Sequence, residues 1–169
     1  RKLEGDRIGL IIFAGQSYVQ FPLTTDYSAA SLFLSAVDVY SIPQPGTAIA
    51  SAINLATQSF EENTATKKVV VIITDGEDHE GDISSAVKNA VDNGIMIYAI
   101  GMGSPAGSPI PVYDDRGNQS GFKQDNSGNI VLTKLDEATL RQISSEGNGQ
   151  YYLSSSSGDE LDLIYDDLA

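Results

Sequence analysis

The stretch that decides the fold is Val69-Val70-Val71-Ile72-Ile73-Thr74-Asp75-Gly76. Its consecutive β-branched residues suit a pleated backbone better than a helix, where each would lose side-chain freedom. The run is apolar at every position rather than at alternate ones, which predicts an inner, parallel strand buried on both faces. Asp75-Gly76 closes it with a carboxylate and a residue suited to a tight turn. In open α/β sheets ligands sit beyond the carboxyl ends of the strands, so Asp75 marks the working edge.

Outward from that strand the same pattern recurs. Residues 7–14 and 95–100 are also apolar on both faces and predict further inner strands. Gly15-Gln16-Ser17 turns the chain into a partner over 18–23, where Pro22 cannot donate to a ladder and so assigns an antiparallel edge strand. Helices are predicted over 27–39, 47–60, 82–93, 136–145 and 159–168. In the first of them, Thr25 or Asp26 is the cap, and Leu32, Phe33, Ala36 and Val37 share one stripe. Asp82 and Asp136 cap two others, and Gly94 is placed to end the third helix in a left-handed conformation. Ile42-Pro43-Gln44-Pro45-Gly46 is a rigid loop, and 150–153 forms a last strand. Residues 103–133 are rich in Gly, Pro, Asn, Asp and Ser and read as an insertion. Within it, Pro111-Val112-Tyr113 and Ile130-Val131-Leu132 are expected to form the arms of a small β-hairpin. The alternation gives an α/β fold: a doubly wound, mostly parallel open sheet with helices on both faces, one antiparallel edge strand and a hairpin insertion, in a single domain over 1–169.

Composition limits the chemistry. The chain carries 23 acidic against 10 basic residues, a net charge of −13, which repels phosphate backbones and speaks against nucleic-acid binding. Cysteine is absent, which removes disulfides, thiolate metal sites and cysteine nucleophiles. His79 is the only histidine, so mechanisms with two are excluded. No apolar run approaches the roughly 20 residues that cross a bilayer.

At the carboxyl edge the loops Ala14-Gly15, Pro45-Gly46-Thr47, Thr74 to Asp78 and Gly101-Met102-Gly103 gather hydroxyl and carboxylate oxygens, a donor set for Mg²⁺, Mn²⁺ or Ca²⁺. Plainer readings stand beside this one. Thr47 is also placed to cap a helix, and Asp75 to start a turn. Glu77, Asp78, His79, Glu80 and Asp82 read as a solvated acidic loop. Gly101 to Ala106 fits a dinucleotide fingerprint, but Pro105 and Pro109 deny it the helix that would hold a pyrophosphate. Asp114-Asp115 and residues 125–129 lack calcium-loop spacing and read as turns.

Three motifs carry a family resemblance: Gly5-Asp6-Arg7-Ile8-Gly9-Leu10 with Phe13, then Gly46-Thr47-Ala48-Ile49, then Val71-Ile72-Ile73-Thr74-Asp75-Gly76-Glu77-Asp78. In order and spacing they resemble a von Willebrand factor A domain over the whole length. Ile100 to Pro105, Ser108 to Pro111, Asp125 to Asn129 and Thr133-Lys134-Leu135-Asp136-Glu137 look most like the bacterial Bat (aerotolerance) proteins. The resemblance implies a metal-ion-dependent adhesion site in which the threonine falls on Thr47 and the aspartate on Asp75. A carboxylate from a partner would complete the coordination of Mg²⁺, or of Mn²⁺ or Ca²⁺. The family's Asp-x-Ser-x-Ser run is not found before Arg7, so the expectation is a domain truncated at its N-terminus, with a first strand and helix lying upstream and the cation site incomplete.

The function expected is therefore a protein-interaction module, not an enzyme, that binds an acidic group on a partner. The Bat resemblance implies a parent anchored in a bacterial inner membrane, with this domain in the periplasm, linked to MoxR-type AAA+ ATPases or other Bat proteins. The rivals are a metal-dependent hydrolase or phosphatase using Asp75, and an assembly-only domain. A sheet lacking a central strand exposes ladder groups, which suits dimerisation or strand exchange.

Overall fold

The structure is a computed structural model that describes residues 5–38, 41–42, 44, 46–61, 65–77, 81–114 and 116–168. The chain begins with an antiparallel pair, β1 (Ile8–Phe13) and β2 (Ser17–Thr24), whose register slips on either side of Leu10, opposite the stretch that holds Pro22. Helix α1 (Tyr27–Ser35) follows, capped by Asp26, whose carboxylate accepts from the Ala29 amide. Next come α2 (Ile49–Ser59), β3 (Lys68–Thr74), α3 (Ile83–Asp92) and β4 (Ile95–Gly101). Asp82 caps α3 through the Ser85 amide and hydroxyl, and Gly94 closes the turn into β4 at φ +74.

The 103–133 segment builds two small ladders. Strand β5 (Ser108–Pro109) pairs with β8 (Leu132–Thr133), and β6 (Pro111–Tyr113) pairs with β7 (Gln119–Phe122). The expected pairing of Pro111-Val112-Tyr113 with Ile130-Val131-Leu132 is thus corrected. Asp114 accepts the amides of Arg116 and Asn118, which turns the chain early, and Asp125 repeats the device with Ser127 and Asn129. These bonds hold both carboxyls below their ordinary range. Helix α4 (Glu137–Glu146), β9 (Asn148–Leu153) and α5 (Glu160–Leu168) complete the chain.

Strands β3, β4 and β9 form a parallel sheet in that order. Alternation along β4 sorts the core into two layers. Ile95, Ile97 and Ala99 pack with Ile49 and Ile53 of α2, Ala86 of α3, and Leu140 and Ile143 of α4. Tyr98 and Ile100 face the other way, against Ile164 of α5. The α/β fold with helices on both faces is as expected.

The continuity of the sheet is not. Among the described residues β3 pairs only with β4, and β1 only with β2, so the expectation of inner strands over 7–14 and 69–74 is corrected. Their two unpaired edges border one groove, and Ile73 is 50% exposed. The stripe on α1 is corrected as well. Leu32 is 69% exposed and only Ala30 of the helix is buried, because α1 packs chiefly on the β1–β2 hairpin, where the Phe33 ring meets Phe21 at 6.2 Å. The helix ends at Ser35 through tight bonds to the carbonyls of Phe33 and Leu34; Val39, where it was expected to end, lies outside the described residues, as do Pro43 and Pro45.

Candidate cation site at the carboxyl edge

Both residues singled out for a cation lie in loops at the same end of the fold. Gly15, just past β1, donates to the Gln44 carbonyl at 3.1 Å, which brings the loop before α2 over the end of β1. A side chain at Gly46 (φ +135) would stand 3.1 Å from the Gly15 Cα, so glycine lets the two loops touch. Thr47 follows, half-buried. The helix cap is Ala48, with no side-chain bond, so the capping role considered for Thr47 is corrected. The loop after β3 reaches the same end of α2: a side chain at Gly81 would meet the Ala50 Cβ at 3.0 Å.

Asp75 is half-buried and held on several sides. Its backbone carbonyl accepts from the Asp136 amide at 2.8 Å. Oδ2 accepts from the Thr133 hydroxyl at 3.0 Å, and Oδ1 from the Glu77 amide at 3.4 Å. Glu77 in turn accepts from the Lys134 amide at 2.8 Å. Gly76 is buried at φ +78, where a Cβ would stand 2.8 Å from the Asp136 carbonyl oxygen and 2.9 Å from Leu140 Cγ. Leu135, 5% exposed, anchors this returning strand in the core. The Thr139 hydroxyl and amide then hold Asp136, the α4 cap, below the usual carboxylate range.

Thr133 was not a predicted site residue. The run Thr133 to Glu137 drew attention only as a branch motif, and nothing in its spacing pointed to Asp75, 58 positions earlier. Of the expected acidic patch, Asp78, His79 and Glu80 lie outside the described residues; Asp82 is engaged as a helix cap, and Glu77 as an acceptor for the Lys134 amide just past the insertion.

Thr47 and Asp75 fit a hard cation in kind and fall short of it in number. Oxygen ligands are the right chemistry, but such ions take about six or more. Among the described residues no group of three or more His, Cys, Asp or Glu could hold a metal. The described residues at this edge therefore do not by themselves make a complete site.

Known proteins can now be set beside this geometry. The pattern of the von Willebrand factor type A domain matches residues 2–167. The chain belongs to the von Willebrand factor type A family. Two solved structures are similar over 99% of this chain: an aerotolerance-related membrane protein from Bacteroides fragilis (38% identity, 83% of that chain, TM-score 0.89), and BatB, a conserved hypothetical protein from Bacteroides thetaiotaomicron (37%, 80% of that chain, TM-score 0.91). These place the chain among Bat-like VWA domains. An uncharacterised protein of Borreliella burgdorferi is 26% identical over 88% of this chain, which spans only 42% of that relative's length.

Proposed function

We propose that this VWA domain is the protein-interaction module of a Bat-like protein anchored in a bacterial inner membrane, and that the partner docks on the carboxyl edge bearing Thr47 and Asp75. The observation that carries this reading is the bracing of Asp75. Its carbonyl and both carboxylate oxygens are held by residues from two separate segments, which fixes a half-buried carboxylate at the edge where α/β folds bind. The domain is read as one unit over 1–169, with 103–133 adding contacts peculiar to the branch. Thr47 and Asp75 are two ligands of a divalent-cation site, for Mg²⁺ or for Mn²⁺ or Ca²⁺, that needs further oxygens from outside this chain. The partner presents an acidic residue; a MoxR-type AAA+ ATPase or another Bat protein suits the role, on the periplasmic side. A phosphatase reading needs a second acid beside Asp75, from Glu77, Asp78 or Glu80; Glu77 accepts from the Lys134 amide, and Asp78 and Glu80 lie outside the described residues.

Calorimetric titration with Mg²⁺ and Mn²⁺ tests the ligand assignment. This chain is expected to give no saturable heat, while a version extended upstream does, and Asp75→Ala in the extended version abolishes it. Equal binding by both forms would overturn the incomplete-site reading. A pull-down with the extended protein, with and without EDTA, tests whether partner capture depends on the metal.

A further inference from the structure

The 103–133 segment turns its apolar side chains to one side. Its three extended stretches meet in pairs: Pro111 opposite Phe122, Gln124 opposite Ile130, and Pro109 opposite Leu132. Three backbone bonds close these pairs around one junction. The Lys123 amide donates to the Ile110 carbonyl, the Ile110 amide to Val131, and the Val131 amide to Lys123. Residues opposite one another, or two apart along one strand, share a side. Pro109, Pro111, Tyr113, Phe122, Ile130 and Leu132 therefore stand together, and Gln124 joins them. All seven are exposed, Tyr113 by 60%. On the other side Ile110 and Val131 are half-buried, and Thr133 reaches Asp75. The apolar side is thus turned away from the carboxyl edge.

Charge and area decide what fits there. The segment holds Arg116 and Lys123 against Asp114, Asp115 and Asp125, only −1 of the chain's −13, and none of these five is among the residues of the apolar side. A partner recognised by its charge would find nothing to pair with on such a patch. In a two-fold pair each patch meets its own copy, so any charge on it would face the same sign; a patch without charge suits that arrangement. Six side chains of this size and exposure offer on the order of 500 Å², near the upper range for an apolar patch on a monomer. Two such patches together bury roughly 1000 Å², which is what a specific interface needs.

We infer that the apolar side of the 103–133 segment is a self-association surface, on which a second copy of this chain docks through the same patch about a two-fold axis. Tyr113 and Phe122 are its large anchors, and the prolines give it a stiff frame. Repulsion between two chains of −13 keeps the pair weak at low salt. The surface uses neither Thr47 nor Asp75, and neither unpaired edge of the sheet, so it stands independently of the cation reading.

Sedimentation equilibrium of this 169-residue chain tests the inference. A monomer–dimer equilibrium is expected, and it tightens as salt rises, because the like charges are screened. Phe122→Ser and Tyr113→Ser should each raise the dissociation constant about 10-fold. In both variants the amides of Asn118 and Asn129 should exchange at the original rate, which shows that the turns of the segment still form. Val112→Thr, on the other side of the same strand, should leave the dimer as it was. Hydrogen exchange above and below the midpoint concentration should differ over 108–113 and 119–124 and not in β1 or β3. A chain that stays monomeric up to about 1 mM overturns the inference. So does a dimer that loosens with salt, or one indifferent to both serine substitutions. Protection confined to β1 and β3 overturns it as well, since the copies would then join through the unpaired sheet edges.

Discussion

Strands β3 and β4 lie side by side in register from Lys68↔Ile95 to Thr74↔Gly101, and both are apolar on both faces, yet their circumstances differ. β4 is paired on both edges and covered on both faces: Ile97 and Ala99 are fully buried, and Tyr98 and Ile100 nearly so. Among the described residues β3 has one partner, and only Ile72 of its residues is buried. The same apolar pattern therefore describes what surroundings a strand is suited to, and says nothing of whether those surroundings are present. In β4 the surplus of apolar surface became core. In β3 and β1 it became the lining of a groove.

The sharpest way to break this contrast is to truncate equivalent side chains in the two strands. Ile97→Ala removes a fully buried side chain between α4 and the sheet and is expected to lower the stability by about 2–5 kcal/mol. Ile73→Ala, half exposed, should change it by no more than about 1 kcal/mol. Urea denaturation of the two variants checks both; equal losses would mean that β3 is buried in solution, by self-association or by rearrangement.

A somewhat smaller effect sharpens the same point from the pH axis. Burial, with the hydrogen bond to Asp167 of α5, pushes the Tyr98 phenol up to about 12; burial and the bond to Glu137 do the same for Tyr151 of β9. Both raised values belong to the completed side of the sheet. A raised folded-state value means that the stabilisation is whole below the unfolded value of about 10 and is lost as pH rises from there towards about 12. Thermal melts at pH 9, 10.5 and 12 should show the decline, and Tyr98→Phe should flatten part of it. Removing the cap of α4 has a lesser cost: Asp136→Ala is expected to lower stability by about 1 kcal/mol at neutral pH. Because that carboxyl is held below its ordinary value, the difference between wild type and variant should vanish as pH falls through the folded-state value, and a pH series of melts would show it.

Much of the framework was legible in the residues, because its signals are local. Asp82 and Asp136 cap the helices they were expected to cap, Asp26 is the one of the two candidates that caps α1, and the two insertion turns form around Asp114 and Asp125 as read. What escaped the sequence is what depends on distant pairing. No local pattern distinguishes β3 with one neighbour from β4 with two. The arms of the insertion exchanged partners because Asp114 turns the chain at once, whereas hairpin propensity alone suits several pairings. At the site, Asp75 was legible from its place at a strand end. Thr133 was not, since a hydroxyl that reaches a carboxylate across 58 positions leaves no periodic trace.

The smallest expected effect bears most directly on the carboxyl edge. Thr133→Val keeps the shape of the side chain and removes its hydroxyl, so Asp75 Oδ2 loses a donor while the Asp136 and Glu77 amides remain. A partly exposed carboxylate recovers much of that bond from water, which sets the loss of stability at about 0.5–1 kcal/mol. The informative readout is local. If the 103–133 segment braces the edge through this contact, amide exchange at Glu77 and Lys134 should quicken in Thr133→Val and return to the original rate in Thr133→Ser, with the amides of β4 unchanged in both. Unchanged exchange at Glu77 would show that the Leu135 anchor and the Asp136 amide hold Asp75 in place by themselves. The insertion would then be a neighbour of the site without being a part of it.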